Sequence, residues 1–139
     1  MSDPVAIFPE GGLAIFEKHG YSPAIHSGGL LFVSGHVGSL PDGTPEPDYE
    51  AQVRLAYTNL EATLAAAGCS FDDIVDVTVF HTVPPSETVE DAGSRAAIRS
   101  RVRRERFPHD PFTNVTAIGV SWLAGFDFEI KVIARIPSK

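Results

Sequence analysis

A single cysteine, Cys69, is all the thiol this chain of 139 residues possesses. It cannot close an internal disulfide, so the fold must rest on an apolar core rather than on staples. Cys69 follows Gly68 with no acid–base partner nearby in sequence, and it reads as a small apolar filler. No stretch approaches the roughly 18 consecutive apolar residues of a membrane span. Residues Met1 to Glu10 carry acids and prolines where a secretory leader carries a basic stretch and an apolar run, so the expected address is cytoplasmic. The histidines (His19, His26, His36, His81 and His109) never fall at the close helical spacing of a zinc site, and no metal is expected. Neither a GxxxxGK[ST] nor a GxGxxG stretch is present, and no cofactor is expected. Ser34 sits in Val33-Ser34-Gly35-His36, which lacks the second flanking glycine and the strand-to-helix turn of a nucleophile elbow, and this argues against a serine hydrolase.

Basic residues are also scarce: 11 against 18 acidic ones, for a net charge of −7. Six of the 11 fall in one segment, at Arg95, Arg99, Arg101, Arg103, Arg104 and Arg106. These arginines spread around a helix without interleaved aromatics, as a solvated helix face does. An oligomer contact or an anion site are the other readings. Nucleic acid is not an expected partner, nor is a membrane. With 43% hydrophobic and 21% charged residues the chain is globular, and its length suits one domain over residues 1–139.

The pattern then supplies the elements. Leu13 to Phe16, Ala24 to Ser27 and Leu30 to Ser34 read as short strands, with Gly28-Gly29 as the hairpin between the last two. Pro41, Pro45, Pro47 and Gly43 keep Gly38 to Asp48 irregular. Asp48 can cap a helix running to about Gly68, because Val53, Tyr57, Leu60, Leu64 and Ala67 fall on one helical face. Ile74 to Val83 alternates, with Val75, Val77, Val79 and Val83 on one side and Asp76, Thr78 and Thr82 on the other. Ser86 or Thr88 caps a second helix that ends near Arg106, before Pro108 and Pro111. Two strands follow, about Asn114 to Ser121 and Phe126 to Ile136. In the last, Phe126, Phe128, Ile130, Val132 and Ile136 share one face, and Asp127, Glu129, Lys131 and Arg135 the other. The order β-β-β-α-β-α-β-β gives an α+β fold: a mixed sheet of five or six strands with two helices on one face. The opposite face mixes Glu129, Lys131 and Thr78 with apolar residues such as Ile133, a composition suited to a subunit interface holding a wet cleft.

The run Gly20-Tyr21-Ser22-Pro23-Ala24, followed by Ser27-Gly28-Gly29-Leu30-Leu31-Phe32-Val33-Ser34-Gly35-His36, resembles the opening signature of the Rid family (the YjgF or endoribonuclease L-PSP family). Gln52, Asn59-Leu60 and Leu64 through Ala67-Gly68 are similar to its helix pattern. Val75 to Phe80 and Phe128-Glu129-Ile130-Lys131-Val132-Ile133-Ala134 resemble its strands. The likeness runs from about residue 20 to 136. It implies a chorismate-mutase-like fold and a homotrimeric barrel with a small-molecule cleft at each subunit interface. It also implies hydrolysis of reactive imines or enamines such as 2-aminoacrylate. In that chemistry an arginine fork holds the substrate carboxylate, and a glutamate places a water against the C=N carbon. Carried over residue by residue, Glu129 matches the catalytic glutamate, Tyr21 lines the cleft, and Ser34 and Gly35 form the turn beside the ligand. His36 stands where the family usually has glutamine, and it either takes part in proton transfer or hydrogen-bonds the turn after Gly35.

One part of the pattern is missing. Deaminating members carry the arginine in a Pro-Ala-Arg-Ser/Thr run, whereas here the residues are Asp110-Pro111-Phe112-Thr113-Asn114-Val115-Thr116. The arginine position falls on Asn114 or Val115. Either another cation near Glu129 substitutes, Lys131 or Arg135, or the ligand carries no carboxylate there. Three functions follow. The first is an enzyme on a small imine- or enamine-type metabolite other than the standard 2-aminoacrylate, with Asn114 or Thr116 donating hydrogen bonds. The second is a non-catalytic small-ligand binder, and the third the endoribonuclease of the family's older name.

Overall fold

The protein, as a computed structural model, is described over residues 3–10, 18–108 and 111–138. The expected strand at Leu13–Phe16 lies outside the described residues. Among the described residues, seven strands form one sheet: β1 (Val5–Ile7), β2 (Ala24–Ser27), β3 (Leu30–Val33), β4 (His36–Val37), β5 (Ile74–Thr82), β6 (Thr116–Val120) and β7 (Phe128–Arg135). Their order is β1-β2-β3-β7-β5-β6, with β4 also paired to β7. All pairs are antiparallel except β5 with β6, which run parallel. The crossover between those two is helix α2 (Val89–Arg106); the longer-buried helix α1 (Tyr49–Ala66) precedes β5. Among the described residues no helix is long and apolar enough to cross a membrane.

Local chemistry explains most boundaries. Gly28 and Gly29 both adopt positive φ, 62° and 79°, closing the β2–β3 hairpin as a side chain would resist. Asp48 caps α1 by accepting from the Ala51 N–H, and Thr88 caps α2 by accepting from Asp91. Two strands exceed expectation, β1 and β4, and both are too short to show a periodicity. A β-bulge in β5 between Ile74 and Asp76 puts Ile74, not Val75, opposite Ala134. Val75 is consequently 51% exposed, and Val83 lies past the strand end at 47%, while Val77 and Val79 are buried.

The core lies between the sheet and α1. From α1 it takes Val53, Ala56, Tyr57, Leu60 and Leu64; from the sheet it takes Leu31, Val33, Val77, Val79, Phe128, Ile130, Val132 and Ala134. Tyr57 stacks on Phe128 with ring centroids 6.1 Å apart. Helix α2 contributes Val102 and the partly buried Ile98 to the core, and it also leans on α1 through its arginines. Arg54 bonds Glu105, Arg101 bonds Glu50, Arg106 bonds Glu61, and Arg99 donates to the Tyr49 hydroxyl at 2.8 Å. Arg95 lies over the Tyr49 ring, 4.5 Å from its centroid. Most of the arginine cluster is therefore occupied in joining the two helices. Exposed pairs of this kind are screened by solvent and add little, so the apolar core carries the stability.

Strand β4 comes unusually close to α1. A Cβ built on Gly38 would stand 2.2 Å from the Gln52 carbonyl oxygen, which is helix backbone and cannot give way. Gly38→Ala is expected to separate β4 from α1 and destabilise the protein by roughly 1–3 kcal/mol or more, read by urea denaturation. Wild-type-like stability would mean the two elements are not held at this separation.

Candidate functional site

The face of the sheet away from the helices is built by register. One row across it runs Val37, Glu129, Phe80, Ile118; the next runs Lys131, Thr78, Thr116; the next brings Phe32 and Asp76 to either side of Ile133. Glu129 thus sits half-buried among Val37, Phe80 and the backbone of Gly35. Burial alone pushes its carboxyl pKa up from the usual value near 4.5. Among the described residues no cation pairs with it, and neither Lys131 nor Arg135 forms a salt bridge to it. A carboxylate that is partly desolvated, unpaired and raised in basicity is suited to taking a proton from water.

The wall beside Glu129 is the Ser34–Gly35 turn. A Cβ at Gly35 would lie 2.6 Å from Glu129 Cδ and 2.7 Å from its Oε2, so only glycine leaves room for the carboxylate in this position. The turn is pinned from two sides. Ser34 Oγ donates to the Ser22 carbonyl at 2.7 Å, and the Ser34 N–H donates to the Pro23 carbonyl at 2.8 Å. Tyr21, which precedes Ser22 in the chain, is 47% exposed. From beneath, His36 Nδ1 lies 2.7 Å from the Ser34 carbonyl, and Nε2 lies 2.8 Å from Thr63 Oγ1. A carbonyl only accepts, so Nδ1 carries the proton and Nε2 accepts from the Thr63 hydroxyl. His36 is 8% exposed, and burial lowers its pKa against a smaller opposing effect of the Ser34 carbonyl. It occupies the core side of the sheet, opposite Ile130, and so is not brought to the face that bears Glu129.

Ser34, Gly35 and Glu129 therefore come together, with His36 behind them and Tyr21 one residue before the Ser22 that Ser34 bonds. Asn114 and Thr116 do not join them within one chain. Thr116 stands two strands from β7 in the Lys131 row, roughly 10 Å across the sheet at about 4.8 Å per strand. Asn114 lies further along and donates to the Asp76 carboxylate at 2.8 Å. A groove of about 550 Å³ bounded by Phe71, Val75, Phe107 and Phe112 lies at the opposite end of β5 from Phe80 and Glu129. Sequence reasoning missed Phe80 and Val37 as neighbours of Glu129, and Thr63 as the partner of His36. The alternation of β5 could have flagged Phe80. Val37 and Thr63 required β4, which a two-residue strand does not announce.

This arrangement can be set beside known proteins. The endoribonuclease L-PSP family model matches residues 12–136. The chain belongs to that family, the Rid or YjgF family. The RutC family protein YjgH of Escherichia coli is 58% identical to it over 139 residues, 100% of both chains. The solved structure of protein YjgH covers 99% of this chain and all of its own, with a TM-score of 0.87 and 56% identity. The Rid-family fold recurs in Rv2704 of Mycobacterium tuberculosis, at a TM-score of 0.73 and 26% identity over 96% of this chain and 100% of that one. A shorter match, 36% over 63 residues (45% of this chain, 49% of the relative), is to TdcF of Escherichia coli, whose name assigns it provisionally to the reactive intermediate deaminases.

Glu129 is costly in its ionised form, so Glu129→Gln is expected to raise the melting temperature at neutral pH. That advantage should vanish as pH falls below about 4.5, where the carboxyl is protonated in folded and unfolded chains alike. His36 has the opposite sign. Its buried neutral form stabilises fully above its usual pKa near 6.5, and stability drains away as pH drops below that value. His36→Gln should flatten this acid limb in melting curves taken from pH 8 to 5. Gly35→Ala, in contrast to Gly38→Ala, meets only the movable end of a side chain; it should leave the fold intact while turning the Glu129 carboxylate out of place, visible in a crystal structure of the variant.

Proposed function

We propose that this Rid-family protein hydrolyses a small, reactive imine or enamine to a carbonyl compound and ammonia, in clefts formed between the subunits of a homotrimer. The observation that carries the reading is the Glu129 carboxylate: half-buried, unpaired among the described residues, raised in pKa by burial, and walled by a glycine that leaves it room. A structural carboxylate would have found a cation or several N–H donors. Here Lys131 lies one step along the same face and does not bond to it.

The chemistry balances with this one group. An enamine first tautomerises to the imine. Water then adds to the C=N carbon while Glu129 takes its proton. The proton passes to nitrogen to give a carbinolamine; Glu129 then takes the hydroxyl proton and returns it to the nitrogen as the C–N bond breaks, a C=O bond forms and ammonia departs. Phe80, Val37 and Ile118 supply an apolar floor that excludes bulk water. The open face also supports assembly: Phe32 is 44% exposed and Ile118 40%, and the adjoining Trp122 is 74% exposed. In a trimer a neighbouring chain would cover these residues and bring a second set of cleft residues, Asn114 and Thr116 among them, towards Glu129. Residues 111–116 hold no basic side chain, so the substrate is not held as 2-aminoacrylate is in relatives with the arginine.

The test is ammonia release from imines generated in place by amine and amino-acid oxidases. Release well above background, falling at least roughly a hundredfold in Glu129→Gln while the variant keeps its assembled mass by light scattering, is the expected result. Equal release by both proteins across the panel would remove Glu129 from the chemistry.

A further inference from the structure

We infer that Lys131, with the Thr78 hydroxyl beside it, is an anion subsite that holds the carboxylate of a small 2-imino acid while its C=N carbon faces Glu129; this rests on the hydrolytic reading of Glu129. Among the described residues, the sheet face carrying Glu129 holds two cations along its strands, Lys131 and Arg135. Arg135 lies six residues from Glu129, roughly 20 Å along the strand at about 3.3 Å per residue, too far to share a small molecule with it. Lys131 lies two residues away, roughly 7 Å. Thr78 stands directly opposite Lys131 and diagonal to Glu129, whose own partner is Phe80.

The ammonium of Lys131 is exposed and in no salt bridge with another described residue. The Thr78 hydroxyl has no hydrogen-bond partner among them either. Two donors therefore face the same space with nothing to accept from them. The remaining charges on this face are acidic: Asp76, Asp127 and Glu129. Asp127 already accepts from Thr82 at 2.8 Å, and Asp76 from Asn114. Near Glu129 an anionic substrate meets acidic groups except at Lys131, Arg135 lying roughly 20 Å away, so Lys131 fixes orientation as well as affinity.

Spacing selects the ligand. A carboxylate bonded directly to the C=N carbon can accept from Lys131 at about 2.8 Å while a water bridges that carbon to Glu129, and these links together span roughly the 7 Å between the two positions. An anion carried several bonds away, as on a phosphorylated side chain, would overshoot. Lysine presents a point charge on a flexible stem where arginine presents a rigid fork, so binding is weaker and more tolerant of shape than a bidentate clamp.

Binding of pyruvate, a small 2-keto acid of the class such a reaction releases, tests the subsite apart from turnover. Calorimetry on the assembled protein should show pyruvate binding that weakens with added salt, with acetone as an uncharged control that does not bind. Lys131→Met keeps the stem and removes the charge, and should weaken pyruvate roughly ten- to hundredfold. Lys131→Arg should retain most of the affinity, and Glu129→Gln should retain or improve it. Pyruvate affinity unchanged in Lys131→Met, or no pyruvate binding by the wild type, would overturn the subsite. In turnover, Lys131→Met should lose activity on imines of amino acids and keep it on the imines of the matching decarboxylated amines; equal loss on both would also overturn it. Lys131-dependent pyruvate binding without Glu129-dependent ammonia release would leave the subsite standing and sink the hydrolytic reading instead.

Discussion

The geometry around Glu129 depends on the close approach of α1 to β4, which a chain of small and polar residues maintains. Gly38 lets the Gln52 carbonyl come to a distance no Cβ would allow. Asn59 Nδ2 donates to the Val37 carbonyl at 2.9 Å, and Thr63 meets the His36 ring from the same helix. Gln52 completes the seam by accepting from the Asp127 N–H at 2.7 Å and donating to the Glu46 carbonyl. These polar groups are largely sealed from water, and each is satisfied, so the seam is rigid rather than costly. Through Ser34 and Gly35 that rigidity reaches the carboxylate on the other side of the sheet.

Glu129 is the reverse case. Desolvation without a partner disfavours the charged form, and the folded protein carries that cost because the glycine wall and Phe80 leave the group no alternative. Such a group contributes nothing to the fold that a glutamine would not. Its presence is understandable as a basic, preorganised oxygen that gains its partner only when water and substrate arrive.

The two faces of the sheet divide the labour. One is packed by α1 and stitched to α2 through arginine–glutamate pairs, and it makes the core. The other mixes exposed Phe32 and Ile118 with Glu129, Lys131 and Thr78. An apolar floor with a few unpaired polar groups is the composition of a binding surface rather than of a face made for solvent.

Periodicity and turn chemistry in the sequence determined α1, α2, the β2–β3 hairpin, β5 and β7, because each is long enough, or its glycines distinctive enough, for local physics to specify it. The alternation of Phe128, Ile130 and Val132 against Glu129 and Lys131 likewise assigned Glu129 to the polar side. Strand β4, the bulge at Val75 and the placement of His36 on the core side were decided only by tertiary structure. A two-residue strand has no period, a bulge is set by the partner strand, and a histidine's side of the sheet depends on which strand it joins. The company Glu129 keeps was settled the same way: cross-strand register, a long-range property, decides that Phe80 faces it, that Thr78 faces Lys131, and that Asn114 is spent on Asp76.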